Sequence, residues 1–360
     1  MNVGWRSKIE HVITRAWYEG ALWLWLFLPL SLLFGWLSAQ RRRHYRNHPP
    51  EPLPVAVAVV GGITVGGTGK TPVIIALIKA LTAQGLRLGV VSRGYGGADG
   101  TAPSMVSDRS TAAMVGDEPL LVALATGVPV AVGTDRAAAV RLLAQSHELD
   151  LVLSDDGLQH YAMPREFEIV VLDAQRGLGN QKLLPMGPLR EGSWRLEQAN
   201  WILERNGTEP DSGFRYQVMA FRHWRSRSVL HPSVVHKQWL SGTVAAVTAL
   251  GQPDQFFNEL EQLGLEISRH AYPDHYALTK ADLDAIWGDV IVITAKDAVK
   301  LDAFDDERIW VLEIEAVLPA ALVDALATQF GTATDVGCPD LDSRSDQPSE
   351  GDEADADNNQ

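Results

Sequence analysis

Thr64-Val65-Gly66-Gly67-Thr68-Gly69-Lys70-Thr71 follows the apolar, β-branched run Val55 to Val60 and opens Pro72 to Ala83, a stretch of helical character. A strand, a glycine-rich turn and a helix beginning at Gly-Lys-Thr form the setting of a phosphate-binding P-loop. Glycines let the backbone turn its N–H groups inward at positive φ, and the helix N-terminus adds positive potential. Lys70 is placed to reach the β and γ phosphates of a nucleotide, and the Thr71 hydroxyl to bind Mg²⁺. Thr64 stands where the motif has its first glycine, with Gly61 and Gly62 just upstream to supply flexibility. Residues Thr64 to Thr71 are therefore the expected nucleotide site, because Gly-Lys-Thr in this context is far more restrictive than a bare glycine pattern.

The same rhythm continues downstream. Apolar runs at Leu86 to Val91, Leu149 to Leu153, Glu168 to Leu172 and Trp201 to Leu203 alternate with helix-like stretches such as Pro119 to Ala125. This pattern predicts an α/β fold, a P-loop NTPase-like parallel sheet covered on both faces by helices. A second, smaller α/β domain is predicted from near Gly242, with strands at Thr243 to Ala249, Val290 to Thr294 and Ile309 to Ile314. The basic, aperiodic stretch Arg222 to Leu240 reads as the boundary, giving a P-loop kinase-type domain over 49–240 and a C-terminal domain over 241–334.

A P-loop needs a partner acid at the end of a neighbouring strand. Leu151-Val152-Leu153-Ser154-Asp155-Asp156 offers two, at the edge where parallel sheets place ligands, although Asp156 before Gly157 also suits a plain turn. In Gly116-Asp117-Glu118-Pro119 an aspartate precedes a helix start, where it serves either as an N-cap or as a general base toward an attacking hydroxyl. Pro273-Asp274-His275-Tyr276 sits in a loop between later strands, where His275 can share or tune that base or be structural.

The first 48 residues read differently. Ala21 to Leu37, ALWLWLFLPLSLLFGWL, holds no charged residue and as a helix spans roughly 26 Å, the short end of what crosses a bilayer. Ahead of it Trp5, Ile9, Val12, Ile13, Ala16 and Trp17 recur at helical spacing beside Arg6, Lys8 and Arg15, as in helices that lie at a membrane interface. Arg41, Arg42, Arg43 and Arg46 follow the apolar run and hold the downstream chain on the cytoplasmic side. A cleaved signal peptide usually has a shorter apolar run, preceded rather than followed by its basic cluster; an ordinary core helix is the other reading. Pro29 is a candidate kink, and whether the helix spans or enters one leaflet stays open. Residues 1–48 thus form a membrane-associated helix with a basic flank, joined to the body by Pro49, Pro50, Pro52 and Pro54.

Composition narrows the class. Of 360 residues 46% are hydrophobic and 21% charged, which excludes a wholly disordered or collagen-like chain. The single cysteine, Cys338, cannot pair within the chain and fits a reducing compartment. A formal net charge of −14 opposes a broad nucleic-acid-binding face. Much of that charge sits near the C-terminus, and 335–360 reads as a disordered acidic tail that carries no chemistry.

In order, the apolar anchor, TVGGTGKTP (Thr64 to Pro72), SRGYGG (Ser92 to Gly97), GDEP (Gly116 to Pro119), SDDGLQH (Ser154 to His160), LLPMGPLRE (Leu183 to Glu191), YPDHY (Tyr272 to Tyr276) and TAKDAVK (Thr294 to Lys300) resemble the tetraacyldisaccharide 4'-kinase family of lipid A synthesis. The resemblance runs from the anchor to about residue 330, and that family tends to carry a hydroxyl residue where Thr64 stands. It implies transfer of the ATP γ-phosphate to the 4'-hydroxyl of a tetraacylated glucosamine disaccharide 1-phosphate, giving the bisphosphorylated lipid A precursor (lipid IVA). The implied location is the cytoplasmic face of a Gram-negative inner membrane. Asp117 is then the base with His275 as its partner, and Lys70 the cation on the phosphates. Thr71, Asp155, Asp156 and Glu191 are the Mg²⁺-associated residues, and Arg136 and Arg190 belong to the active site. A basic lining suits a 1-phosphate substrate, and Arg93 and Arg195 also stand near motif loops. ATP and Mg²⁺ are the expected cofactors, and the lipid and the bilayer the expected partners, with no nucleic acid and no protein partner implied.

A different class is a membrane-tethered P-loop nucleotide switch acting on a protein partner. It needs a guanine-reading Asn-Lys-x-Asp run, which Thr294-Ala295-Lys296-Asp297 matches only without the Asn. A structural protein with a vestigial P-loop has no need of Lys70, Thr71, Asp155 and Asp117 together.

Overall fold

The computed structural model describes residues 12–94, 97, 102–239, 242–301 and 306–331. Trp5 and Ile9 of the N-terminal stripe, Tyr95 and Gly96 of SRGYGG, and the acidic segment 335–360 with Cys338 lie outside the described residues.

Among those residues the strands are β1 (Ala56–Gly61), β2 (Leu88–Ser92), β3 (Ser104–Met105), β4 (Val130–Val132), β5 (Leu151–Asp155), β6 (Phe167–Asp173), β7 (Trp201–Arg205), β8 (Gly213–His223), β9 (Val229–Leu230), β10 (Val244–Thr248), β11 (Ile267–Ala271), β12 (Val290–Thr294) and β13 (Ile309–Val317). They form one sheet in the order β11-β10-β12-β13-β8-β7-β6-β1-β5-β2-β4-β3, with β9 beside β8. The fold is α/β, as the alternation of apolar runs and helices predicts.

β1 shows why its run is continuously apolar. Val57 and Val59 join one core cluster with Val91, Val152 and Leu158, while Ala58 and Val60 join another with Ile74, Leu77 and Leu153. Alternate side chains point to opposite faces, and both faces are covered, so every position from Val57 to Gly61 is buried. Helix α1 (Leu28–Asn47) lies in the N-terminal segment, and α2 (Lys70–Ala83) follows the P-loop. Ile74, Leu77, Ile78 and Leu81 of α2 are at most 1% exposed. Each such burial is worth roughly 1.5–3 kcal/mol, so the helix whose N-terminus carries the P-loop is firmly fixed.

The second block repeats the principle. Val244 and Ala246 of β10 face one cluster, and Ala245 and Val247 the other. The stretch expected to divide the blocks is ordered secondary structure: it contains the end of β8, the turn to β9 and a helix, Pro232–Trp239, that buries Val235 and Trp239. β8 joins the blocks, running parallel to β7 at Glu204 and Arg205 and antiparallel to β13 from His223 back to Arg215. That pairing reverses the strands of the second block relative to the first. Sheet twist, roughly 20–25° per strand, accumulates between β1 and β10 and works against the reversal. The loops at the C-terminal ends of both sets of strands therefore meet, as shown by the hydrogen bond from Gln252 Nε2 to the Gly67 carbonyl at 2.7 Å.

Pro29, the candidate kink, falls where one helical form gives way to another. A 3₁₀ helix, Leu22–Phe27, passes into α1, and Pro29 occupies the first turn of α1, where a missing N–H costs nothing. Leu22–Asn47 together is long and apolar enough to cross a membrane by length and composition. Leu22, Leu26, Leu32 and Trp36 are all more than half exposed. Ala16 and Trp17, by contrast, are buried against Leu24 and Met186, so that part of the stripe faces protein. Ser31 Oγ donates to the Leu183 carbonyl at 2.8 Å, and Trp17 Nε1 to the Pro185 carbonyl at 3.0 Å.

Candidate active site

The P-loop leaves β1 and passes directly under the segment that holds the anchor. Val65 N–H donates to the Pro188 carbonyl at 2.9 Å, Arg190 N–H to the Ile63 carbonyl at 2.7 Å, and Thr64 forms an isolated antiparallel bridge with Leu189. Thr64 does not have positive φ, so its position needs no glycine. Gly69 does: its φ is +83°, and a Cβ there would collide with the Tyr216 hydroxyl, which donates to the Gly69 carbonyl at 3.1 Å.

Lys70 Nζ stands 3.4 Å from Asp156 Oδ1, and Arg190 Nη1 2.7 Å from Asp156 Oδ2. Burial pushes the Asp156 carboxyl up, but Lys70 and Arg190 outweigh it and hold it well below the usual carboxylate range. Asp155, at the end of β5, is driven the other way by burial and the charge of Glu118, with Lys70 opposing. Arg136 is 5% exposed, and its charge acts on both aspartates. Arg93 and Arg190 both repel Arg136, so the three arginines form one basic cluster around the acid pair.

Among the described residues no three His, Cys, Asp or Glu side chains converge to hold a metal by themselves. A Mg²⁺ ion bound through one or two carboxylates, a hydroxyl and nucleotide phosphates needs no such cage. Thr68 Oγ1 and Asp155 Oδ1 are buried without a hydrogen-bond partner, as fits a site completed by a phosphate-bound cation. Thr71 is buried in the first turn of α2. Glu191 differs from Asp155: its carboxylate accepts hydrogen bonds from Gln159 Nε2 at 3.0 Å and from the Tyr161 hydroxyl, and pairs with Arg195. Arg195 is also bonded to Glu168, so it braces this network instead of lining the basic cluster.

Asp117 is the first residue of helix α3 (Asp117–Thr126), and the N-cap is Gly116, at φ +91° and without a side-chain cap bond. Its Oδ1 accepts the N–H of Glu118 at 2.9 Å, and its Oδ2 faces His275 Nδ1 at 2.9 Å. Burial raises the Asp117 carboxyl, yet the His275 bond and the charges of Lys296, His275 and Lys300 hold it below its ordinary value. A buried carboxylate kept ionised and aimed by an imidazole is equipped to take a proton from a hydroxyl.

The family model described as tetraacyldisaccharide-1-P 4'-kinase (LpxK) matches residues 23–331. The chain belongs to the tetraacyldisaccharide-1-P 4'-kinase family. A tetraacyldisaccharide 4'-kinase of Alcanivorax borkumensis is 42% identical over 323 residues, covering 89% of this chain and 97% of the relative. One of Aeromonas hydrophila is 43% identical over 327 residues, covering 89% and 96%. The crystal structure of the "apo" form of LpxK from Aquifex aeolicus in complex with ATP has a TM-score of 0.71 at 24% identity, over 86% of this chain and all of that one.

As a member of the 4'-kinase family, the chain brings together residues predicted far apart in sequence. Lys70, Asp155, Asp156, Arg136 and Arg190 share one cluster, and Asp117 meets His275. Several participants carried no predicted role. Gln159 links Arg190 to Glu191; its own segment, SDDGLQH, was the only signal for it. Lys296 lies 2.9 Å from Glu118 and 3.8 Å from Asp117, within TAKDAVK. Gln252 and Tyr216, which hold P-loop carbonyls, sit in no motif-like run.

Proposed function

We propose that this chain transfers the γ-phosphoryl group of ATP to the 4'-hydroxyl of a tetraacylated glucosamine disaccharide 1-phosphate. The observation that carries this reading is the Asp117–His275 pair, held at 2.9 Å where loops of the second block meet those of the P-loop block. A nucleotide switch has no use for a base poised beside the phosphate cradle, whereas acceptor phosphorylation requires one.

Thr64 to Thr71 bind the triphosphate through backbone N–H groups, and Lys70 exchanges its contact with Asp156 for the β and γ phosphates. Asp117 accepts the proton of the 4'-hydroxyl as its oxygen attacks phosphorus, the bond to the ADP oxygen breaks, and His275 steadies the carboxylate. Thr71, Asp155 and Asp156 would hold Mg²⁺, with Glu191 behind them through Gln159. When bound, that ion neutralises charge on the phosphate oxygens. Arg93, Arg136 and Arg190 serve substrate phosphate groups.

The acceptor, with four acyl chains, is almost insoluble, so the enzyme must work at a bilayer surface. The exposed apolar face of Leu22–Asn47 supports an anchor in the inner membrane, with the sheet on its cytoplasmic side. In this reading 1–48 is the anchor, 49–240 the P-loop unit and 241–334 the smaller unit that supplies His275. The test is the fate of γ-labelled ATP in micelles. Label on the lipid only when acceptor is present supports the kinase; acceptor-independent release of inorganic phosphate supports the switch.

A further inference from the structure

Lys296 is the second residue of the short helix Ala295–Ala298, which follows β12 directly, and its side chain is 15% exposed. Its Nζ lies 2.9 Å from Glu118 Oε1, 3.8 Å from Asp117 Oδ2 and 3.9 Å from Asp274 Oδ1. Asp117 and Glu118 belong to the P-loop half, whereas Asp274, His275 and Lys296 come from the second. Three carboxylates are thus crowded into one corner, where their like charges repel one another unless a cation stands between them.

We infer that Lys296 is a positioning residue for phosphoryl transfer, a cationic clamp that draws Glu118 and Asp274 together across the two halves and so holds the Asp117 carboxylate against His275. The inference rests on the reading of Asp117 as the base. The groups that face Asp117 are Glu118 on its own helix, Asp274 and His275 in the turn after β11, and Lys296 and Lys300 after β12. Asp155 faces Glu118 from β5. Lys300 is already bonded to the buried Asp297 at 2.7 Å, which leaves Lys296 as the cation in contact with Glu118 and Asp117. Burial works against the Lys296 charge, but Glu118, Asp117 and Asp274 more than offset it and raise its pKa. The ammonium therefore persists through the working pH range.

The experiment compares wild type with Lys296→Met, Lys296→Arg, Asp117→Ala and the double variant Glu118→Gln/Lys296→Met, using the full chain in micelles with ATP and the disaccharide lipid. Lys296→Met is expected to lower kcat by about 10-fold or more and to move the acid limb of the pH–rate profile upward by about one unit, because Asp117 then protonates more easily. KM for ATP should stay unchanged. Lys296→Arg should restore most of the rate, and the double variant, which removes one negative charge together with the positive one, should return the acid limb toward wild type even if Lys296→Met alone folds poorly. Wild-type kcat and acid limb in Lys296→Met would overturn the clamp, as would a rate loss with an unmoved acid limb that neither Arg nor the double variant repairs. Asp117→Ala separates the two levels: if it retains transfer, the base assignment itself fails, whereas an inactive Asp117→Ala beside an unaffected Lys296→Met removes only the clamp.

Discussion

His275 Nδ1 and Asp117 Oδ2 stand 2.9 Å apart although 158 positions separate the residues in the chain, so folding of both halves is needed to assemble the pair. The hydrogen bond to Asp117 raises the His275 imidazole above its ordinary 6.5, against burial. Its contribution is fully present below that ordinary value and is lost as pH rises through the raised one. Asp117 is lowered from 3.8. Its contribution is present above that ordinary value and is lost as pH falls through the lowered one. The rate should accordingly be bell-shaped in pH, with its alkaline limb above the ordinary histidine range. His275→Ala should reduce kcat less than Asp117→Ala does and should abolish that alkaline limb. A wild-type profile in His275→Ala would remove it from the mechanism.

Gly69 is the P-loop position at which a side chain is least tolerated. Gly69→Ala combines the left-handed backbone, roughly 1–2 kcal/mol for an L residue, with a collision against Tyr216. Isothermal titration should show ATP affinity reduced by at least about 10-fold. In the wild-type loop Tyr216→Phe removes only the bond to the Gly69 carbonyl, and should cost about 0.5–1.5 kcal/mol of stability. Equal affinities for wild type and Gly69→Ala would show that the loop rearranges freely.

Asp155 and Asp156 should differ from Asp117 in what they do to nucleotide binding. With Asp156→Asn, Lys70 and Arg190 lose their shared carboxylate, so metal-free ATP should bind as tightly as to wild type or tighter. The strengthening that Mg²⁺ gives to ATP binding should be largely lost in Asp155→Asn and in Asp156→Asn. Titrations with and without Mg²⁺ read this without any turnover, and an undiminished Mg²⁺ effect in both variants counts against their metal role.

The exposed apolar side chains of Leu22–Asn47 should carry the membrane attachment. Replacing Leu26, Leu30, Leu33 and Trp36 by serine removes side chains that are 80%, 53%, 51% and 58% exposed, so the fold should survive. Co-sedimentation with phospholipid vesicles should fall sharply, and activity on bilayer-embedded acceptor with it. Trp17→Ala should act through stability, since its ring is 8% exposed and its Nε1 bonds the Pro185 carbonyl; about 3–5 kcal/mol is expected.

The sequence made the P-loop block legible because its strands are buried on both faces and so read as continuous apolar runs. In that block Leu151–Asp155 lies within two residues of prediction at either end, and in the second block, buried in the same way, Val290–Thr294 matches residue for residue. β8 escaped because Gly-Phe-Arg-Tyr-Gln-Val-Met alternates polar and apolar residues along one half-covered strand, so the strand that joins the two blocks was not predicted. The N-cap alternative for Asp117 was undecidable in sequence, since an aspartate beside a helix start suits either role; Gly116 occupies the cap instead. Lys296 was equally hidden, because its partners lie in two other segments that only the sheet brings together.

The most direct measurement is ATP binding and phosphoryl transfer in the same preparation of Asp117→Ala. ATP affinity should equal that of wild type, while transfer to the disaccharide lipid falls by about 10² to 10⁴. Transfer at the wild-type rate in that variant would contradict the assignment of the base.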